Sequence, residues 1–375
     1  MSWFHHGFQS KDFRMESIIE KALQQPGALT RNEIAELLSL EDTKELFTAA
    51  YEVKCRYIGK RVSLRGLIEM GNLCAKDCYY CGIRKSNSHV KRYRLAEDDV
   101  IRMAKWCFEH DYGSVVLQSG EIESEANTMS IERILHGIRE FGGDAFGVTL
   151  CLGEQTEEVF RRWREAGAHR YLLRIESSVP SLYAKIHPSD HLYARRVECL
   201  KILKRLGYQT GSGVMAGLPG QTLDDLAADI EFFAAEDLDM IGMGPYLPHA
   251  ETPLGENIAM TPEYAQRQFQ LGLKMIAVTR LYLHDVNIAA TTALQALDDR
   301  GRELGIQAGA NVIMPNLTPN EFRENYLIYP DKACVKDKPD QCQTCLDVRL
   351  AAIGHRVLYN AWGDSVAFTK KNQQK

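Results

Sequence analysis

Between residues 63 and 314, short apolar runs alternate with longer stretches whose apolar positions recur at helical spacing. A short apolar run suits a strand buried on both faces, and a longer amphipathic stretch suits a helix covering that strand. The alternation therefore predicts repeated β-α units around a parallel sheet. Strands are predicted over residues 64–69, 114–118, 147–150, 171–175, 210–215, 240–243, 288–292 and 311–314. Helix starts are marked between them: Thr222 with Asp225 reads as a capping box, and Thr261-Pro262 sets a cap residue before a proline at the first helical position. Residues 1–50 read as helical, broken at Pro26-Gly27. The expected fold is α/β, a TIM-type (βα)8 barrel over residues 61–318. A helical N-terminal extension over 1–60 precedes it and a C-terminal segment over 319–375 follows.

Composition narrows this picture. A length of 375 residues suits one such barrel with extensions, and 45 % hydrophobic against 25 % charged residues suits a chain with a substantial core. A net charge of −5 disfavours nucleic acid or an anionic membrane as partner. The opening Met1-Ser2-Trp3-Phe4-His5-His6 is no basic segment leading into an apolar one, and no apolar run reaches spanning length, so the expected location is the cytoplasm. In that setting ten cysteines point to metal or redox chemistry rather than a disulfide scaffold.

The sharpest chemical signal is Cys74-Ala75-Lys76-Asp77-Cys78-Tyr79-Tyr80-Cys81, directly after the first predicted strand. Barrel active sites lie at the C-terminal ends of the strands, so these sulfurs are expected at the mouth. A 4Fe-4S cluster takes four ligands, and three cysteines leave one iron open to a substrate or cofactor. A zinc site would need a fourth ligand, for which His89 is the nearest candidate in sequence. Strand alternation puts Arg174 and Glu176 on one shared face, and Thr149 and Cys151 likewise share a face, so that both pairs can point inward. An inward carboxylate suits a ribose diol or an ammonium, and an arginine suits a carboxylate; the bland alternative is an Arg-Glu pair with a structural role. The glycine-rich stretch 211–220 lacks the context of a dinucleotide fingerprint, because Leu218-Pro219-Gly220 interrupts the helix that should follow.

The three-then-two cysteine spacing, with aromatic Tyr80 before the last cysteine, resembles the radical S-adenosylmethionine (SAM) superfamily. The resemblance implies a 4Fe-4S cluster on Cys74, Cys78 and Cys81 that binds SAM and cleaves it reductively to a 5′-deoxyadenosyl radical. It implies that Glu176 holds the SAM ribose and that Arg174 and Arg196, with Arg195 adjacent, lie near the methionyl carboxylate. Ser119-Gly120-Glu121 matches the small-residue motif that receives the amino group. Tyr80, Thr149, Cys151, Met215 and Met240 match positions lining the cofactor site.

From about residue 65 to 345 the resemblance extends to the HydE family of FeFe-hydrogenase maturases. It is carried by Arg65-Gly66-Leu67-Ile68-Glu69, Leu117-Gln118-Ser119-Gly120-Glu121, Gly217-Leu218-Pro219-Gly220-Gln221-Thr222, Ala290-Thr291-Thr292 and Ala310-Asn311-Val312-Ile313-Met314-Pro315-Asn316. It implies attack of the radical on a cysteine-bound Fe(CO)2(CN) complex. Arg65, Gln118, Thr291 and Thr292 would hold that complex, with Tyr326, Ile328 and Tyr329 near the entrance. It implies the maturases HydG and HydF as partners and a flavodoxin or ferredoxin as electron donor. Cys334, Cys342 and Cys345 match an auxiliary 2Fe-2S or 4Fe-4S site of some family members. Biotin synthase would need several lumen cysteines where only Cys151 is available. A methylornithine synthase-like mutase and a non-catalytic iron-sulfur carrier are the other readings.

Overall fold

The computed structural model describes residues 5–330, 332 and 339–373, with side chains from residue 14 onward except 339–343. Its strands in chain order are β1 (Arg61–Leu64), β2 (Gly66–Gly71), β3 (Ser114–Ser119), β4 (Gly147–Cys151), β5 (Arg170–Leu172) and β6 (Gln209–Ser212). There follow β7 (Met215–Ala216), β8 (Met240–Ile241), β9 (Gly244–Pro245), β10 (Asn287–Ile288), β11 (Val312–Ile313) and β12 (Arg356–Leu358). Seven of them form one parallel sheet in the order β10-β8-β6-β5-β4-β3-β2. Strand β11 joins its two edges: Ala289, just past β10, bridges Val312, and Leu67 of β2 bridges Asn316. At that seam Leu67 N–H donates to Pro315 O, and Leu317 N–H returns to Leu67 O, both at 2.7 Å. The predicted eight-stranded barrel is thus present, closed through single bridges rather than long ladders.

Several strands are shorter than the apolar runs suggest. The run at 171–175 keeps only Arg170–Leu172 in the ladder, and Glu176 takes φ 65°, where a non-glycine side chain must be held by its surroundings. The 210–215 run splits into β6 and β7, the latter pairing with β9. At 288–292 the ladder ends early because the chain turns into the helix Thr292–Leu297, with Thr291 at its N-cap position but making no side-chain capping bond. In each case the chain leaves the sheet at its C-terminal end, where backbone and side chains are released to the mouth. Gly213 explains the glycine-rich stretch locally: a Cβ there would lie 2.0 Å from Gly242 O, so only glycine permits that approach. The paired strands β1 and β12, which extend the seam in parallel beyond Arg65, were not predicted.

The helices cover the outside. Thr222 forms the predicted capping box with Asp225, and Thr261 caps Pro262–Leu283. Val115, Leu117 and Leu150 of the sheet and Ile134, Phe160 and Trp163 of the covering helices are buried in one core. The first three helices, His5–Gln24, Arg31–Ser39 and Lys44–Tyr57, pack on the outer helices Leu223–Ala235 and Pro262–Leu283. Near the other terminus, residues 362–365 cross the N-terminal end of the barrel. Gly363 O accepts from Arg65 at 3.1 Å and Asn287 at 2.8 Å, Asp364 pairs with Arg170 at 2.8 Å, and Ser365 N–H donates to Gln209 at 3.1 Å. Among the described residues no helix is long and apolar enough to cross a membrane.

Candidate active site at the barrel mouth

The cysteine loop leaves β2 through a register shift between Glu69 and Gly71 and is then pinned by its neighbours. Ala75 N–H donates to Glu121 O (2.8 Å), Tyr79 N–H to Ile186 O (3.0 Å) and Gly82 N–H to Ile328 O (3.1 Å). Asp77 accepts from Arg84 at 2.7 Å and from Ser86 N–H at 2.9 Å. Gly120 packs so closely that a Cβ there would lie 2.2 Å from Leu73 O and 2.8 Å from Cys74 Cβ. Burial pushes all three thiols up, Cys78 to about 12, and for Cys81 the other two cysteines push the same way. Three thiolates gathered out of water need a compensating cation, and an iron cluster supplies one. The donor set fits such a cluster. His89, the fourth ligand considered for zinc, is exposed and pairs with Glu251 at 3.2 Å instead.

Around this loop lies a ring of charge. Arg174 pairs with Glu176 at 2.9 Å and donates to Val214 O at 2.9 Å. Burial raises Glu176 above the usual carboxyl range, with Arg174 and Arg196 pulling against it. Arg196 is the buried member of its pair: its Nε donates to Glu154 at 2.6 Å and its Nη1 to Arg174 O at 3.2 Å, while Arg195 lies half-exposed against Glu123 and Glu154. Lys76 of the cysteine loop completes the ring, 3.2 Å from Glu121 and 3.3 Å from Glu154. Burial opposes ionisation of Glu154, yet Arg196 and Lys76 outweigh it and hold the carboxyl below its usual range; Glu121 is left raised by burial. Arg174 Nε is buried without a hydrogen-bond partner, a free donor beside the triad suited to a carboxylate or ribose.

Glu154 carried no motif in the sequence. Its only signal was position, a few residues past the end of β4, as Glu121 is past β3 and Glu176 past β5. The remaining expected residues divide between mouth and floor. Ser119 bonds Gly120 O, half-buried Met215 donates its N–H to Glu176 O at 3.1 Å, and burial pushes Cys151 to about 11 against the pull of Arg174. Gln118 donates to Tyr326 OH at 3.2 Å, Thr292 bonds Tyr329 OH, and Thr291 Oγ1 is buried without a partner. The loop bearing Tyr326, Ile328 and Tyr329 thus reaches both strand ends and the cysteine loop. Lys332 extends it, ion-paired with buried Glu69, whose other oxygen accepts from Asn316 at 3.0 Å.

Arg65, Thr149 and Met240 gather at the other end. Arg65 precedes the six residues of β2, which span roughly 20 Å at strand rise, and so lies far from the cysteines. Its Nη1 donates to Met240 Sδ at 3.0 Å, and with Thr149, Asn287 and Met314 the two line a small cavity. Met240 therefore does not sit beside the SAM site as expected: it starts β8, and in a parallel barrel strand starts face the floor. Arg170, unmarked in the sequence, is the floor's second buried guanidinium and donates to Thr149 at 3.5 Å. In the second triad Cys334 and the side chain of Cys342 lie outside the described residues, and Cys345 is exposed on the helix Pro339–Ala352.

Residues 68–233 match the model of the radical SAM superfamily, and the chain is a radical SAM enzyme. Over 330 residues it is 42 % identical to the [FeFe] hydrogenase maturase subunit HydE of Thermotoga maritima, a match covering 87 % of this chain and 91 % of that one. The chain belongs to the HydE family. That membership implies a 4Fe-4S cluster and SAM as cofactors. The 3-methylornithine synthase of Methanosarcina barkeri is more distant, 26 % identical over 80 % of this chain and 83 % of its own. Among solved structures, methylornithine synthase superposes with a TM-score of 0.75 at 22 % identity, covering 92 % of this chain and 98 % of that one. The maturase HydG from Carboxydothermus hydrogenoformans superposes at 0.74 and 18 %, covering 94 % and 80 %. These two likenesses speak to the fold alone.

Proposed function

We propose that this enzyme modifies a cysteine-bound Fe(CO)2(CN) complex inside the barrel, a step towards the 2Fe subcluster of FeFe-hydrogenase. The observation that carries this reading is the lumen floor: two buried guanidiniums, Arg65 and Arg170, face one carboxylate, Asp364, beside an otherwise largely apolar cavity. An anionic metal carbonyl finds there both a cationic partner and shielding from water.

Cys74, Cys78 and Cys81 would hold the cluster, which when bound would supply the electron for reductive cleavage of SAM to the adenosyl radical. The chain's own residues do the rest. Arg174 and Glu176 take the carboxylate and the ribose of SAM respectively, Arg196 is held by Glu154 against the same site, and Gly120 lets the loop backbone approach the amino group. Gln118, Thr291 and Thr292 border the substrate from the mouth, and the loop of Tyr326, Ile328 and Tyr329 excludes water. In this reading HydG delivers the complex, HydF receives the product, a flavodoxin or ferredoxin donates the electron in the cytoplasm, and Cys334, Cys342 and Cys345 hold an auxiliary 2Fe-2S or 4Fe-4S cluster.

The test uses anaerobically reconstituted protein reduced by dithionite with SAM, with and without the iron complex. Formation of 5′-deoxyadenosine stimulated by the complex is the expected result. Cleavage without stimulation would assign the enzyme another substrate, such as that of a mutase. No cleavage despite an intact cluster would leave a carrier.

A further inference from the structure

Residues 186–191 form a turn against the back of the cysteine loop, and two histidines of that turn reach Tyr80 and Cys78. His187 Nδ1 lies 2.9 Å from Tyr183 O, a group that only accepts, so Nδ1 carries the proton. His187 Nε2 is then the acceptor for Tyr80 OH at 3.1 Å. The Tyr80 hydroxyl also lies near Cys78, but its single proton is committed to His187. His191 is buried, and its Nε2 lies 3.5 Å from Asp77 N–H, a group that only donates, and 3.8 Å from the carboxylate of Asp190, which is exposed to water. The closer contact, from Asp77 N–H, is served by the tautomer with its proton on Nδ1, which lies 3.8 Å from Cys78 Sγ, while water solvates the Asp190 carboxylate. Of the other two cysteines, Cys74 takes Glu121 N–H at 3.4 Å and Cys81 is approached by the backbone N–H of Ile83. Cys78 alone is served by a side chain.

We propose that His191 is a positioning residue that donates an N–H···S hydrogen bond to the Cys78 ligand and thereby raises the reduction potential of the cluster. A donor aimed at a ligand sulfur stabilises the extra negative charge of the reduced state, and hydrogen bonds to the sulfurs are among the factors that set such potentials. The inference rests on the assignment of Cys74, Cys78 and Cys81 as cluster ligands. His187 has the supporting part of drawing the Tyr80 proton away from Cys78.

The experiment is an EPR-monitored redox titration of reconstituted wild type, His191→Leu and His191→Gln, with iron and sulfide counted in each. In the leucine variant the ratio of oxidised to reduced cluster at a fixed potential is expected to rise about tenfold, equivalent to about 59 mV for a one-electron couple. Glutamine, which keeps an N–H donor, should restore most of the difference. A fully loaded leucine variant with the wild-type potential would overturn the proposal, as would equal shifts in both variants. If the leucine variant does not hold its iron, wild-type protein labelled with 15N-histidine decides by pulsed EPR. Coupling of one histidine nitrogen to the reduced cluster, lost in His191→Gln, is expected, and its absence overturns the proposal. Wild-type protein whose triad takes up no four-iron cluster would overturn the ligand assignment itself.

Discussion

Arg65 keeps its charge where charge is costly. Burial lowers its affinity for the proton, the neighbouring Arg170 lowers it further, and Asp364 offsets only part. Its Nε has no hydrogen-bond partner. A site with surplus positive charge and a free donor stands ready for an anion, so Arg65→Gln should separate two ligands. Binding of the iron complex is expected to weaken by about tenfold or more, the loss of roughly 1.4 kcal/mol. SAM binding, at the opposite end of β2, should be unchanged, and thermal stability should hold or rise because the repulsion from Arg170 is relieved. Equilibrium binding of each ligand checks this, and equal weakening of both would refute the separation. Arg65 was legible in the sequence as part of a run resembling the family, whereas Arg170 was not. Nothing local marks a buried arginine at the start of a strand, since its meaning comes from residues 362–365, almost two hundred positions later, folding across it.

At the scale of elements the cysteine loop was readable because spacing along the chain is all a three-cysteine ligand set requires, and because strand ends point to the mouth. Its anchoring was not readable, for it comes from four distant segments: Glu121 after β3, the turn at 186–191, the loop at 326–330 and Leu254, whose N–H donates to Tyr79 O at 3.0 Å. For the same reason His89 looked like the nearest histidine and His191 was overlooked. Strand ends failed in a similar way, as at Thr291, where apolar patterning continues through a residue that stands at the N-cap position of the next helix. The packing of Gly120 turns this into a prediction. Gly120→Ala would push a methyl group into Leu73 O and Cys74, backbone that several hydrogen bonds hold in place, so the loop cannot yield cheaply. The variant is expected to fold, because the contact is local, yet to retain less than about half of the wild-type iron after reconstitution and to lose most SAM cleavage, in keeping with a strain of a few kcal/mol. Iron analysis beside circular dichroism would settle it; full iron content would mean that the loop is softer than its bonding implies.

On the scale of the whole molecule, the C-terminal segment beyond β11 seals the barrel at both ends. Residues 326–330 and Lys332 cross the mouth, β12 pairs with β1 outside the seam, and residues 362–365 close the floor. The floor has a pH dependence of definite sign. His169 Nδ1 accepts Val148 N–H at 3.0 Å, its ring packs on Trp362 with centroids 4.1 Å apart, and Nε2 faces Asp364 at 3.8 Å. Burial and then Arg170 push His169 down to about 3, despite the pull of Asp364. Burial alone would raise Asp364, but His169 and Arg170 hold it below the usual carboxylate range. Both folded-state values lie under the unfolded ones, so both contribute stability above the unfolded pKa that is lost as pH falls. For His169 the window opens near 6.5, where the unfolded chain takes up a proton that the folded floor refuses until about pH 3. Within it the loss approaches about 1.4 kcal/mol per pH unit, and Asp364 adds to it only below about pH 4. A fall of the thermal midpoint between pH 7.5 and 5.5 is therefore expected in the wild type and should be clearly smaller in His169→Gln, whose amide oxygen can keep the bond from Val148 without titrating. The same slope in both proteins would show that the seal at the floor does not depend on an uncharged His169, and that some other buried group governs how the C-terminal segment holds the barrel closed.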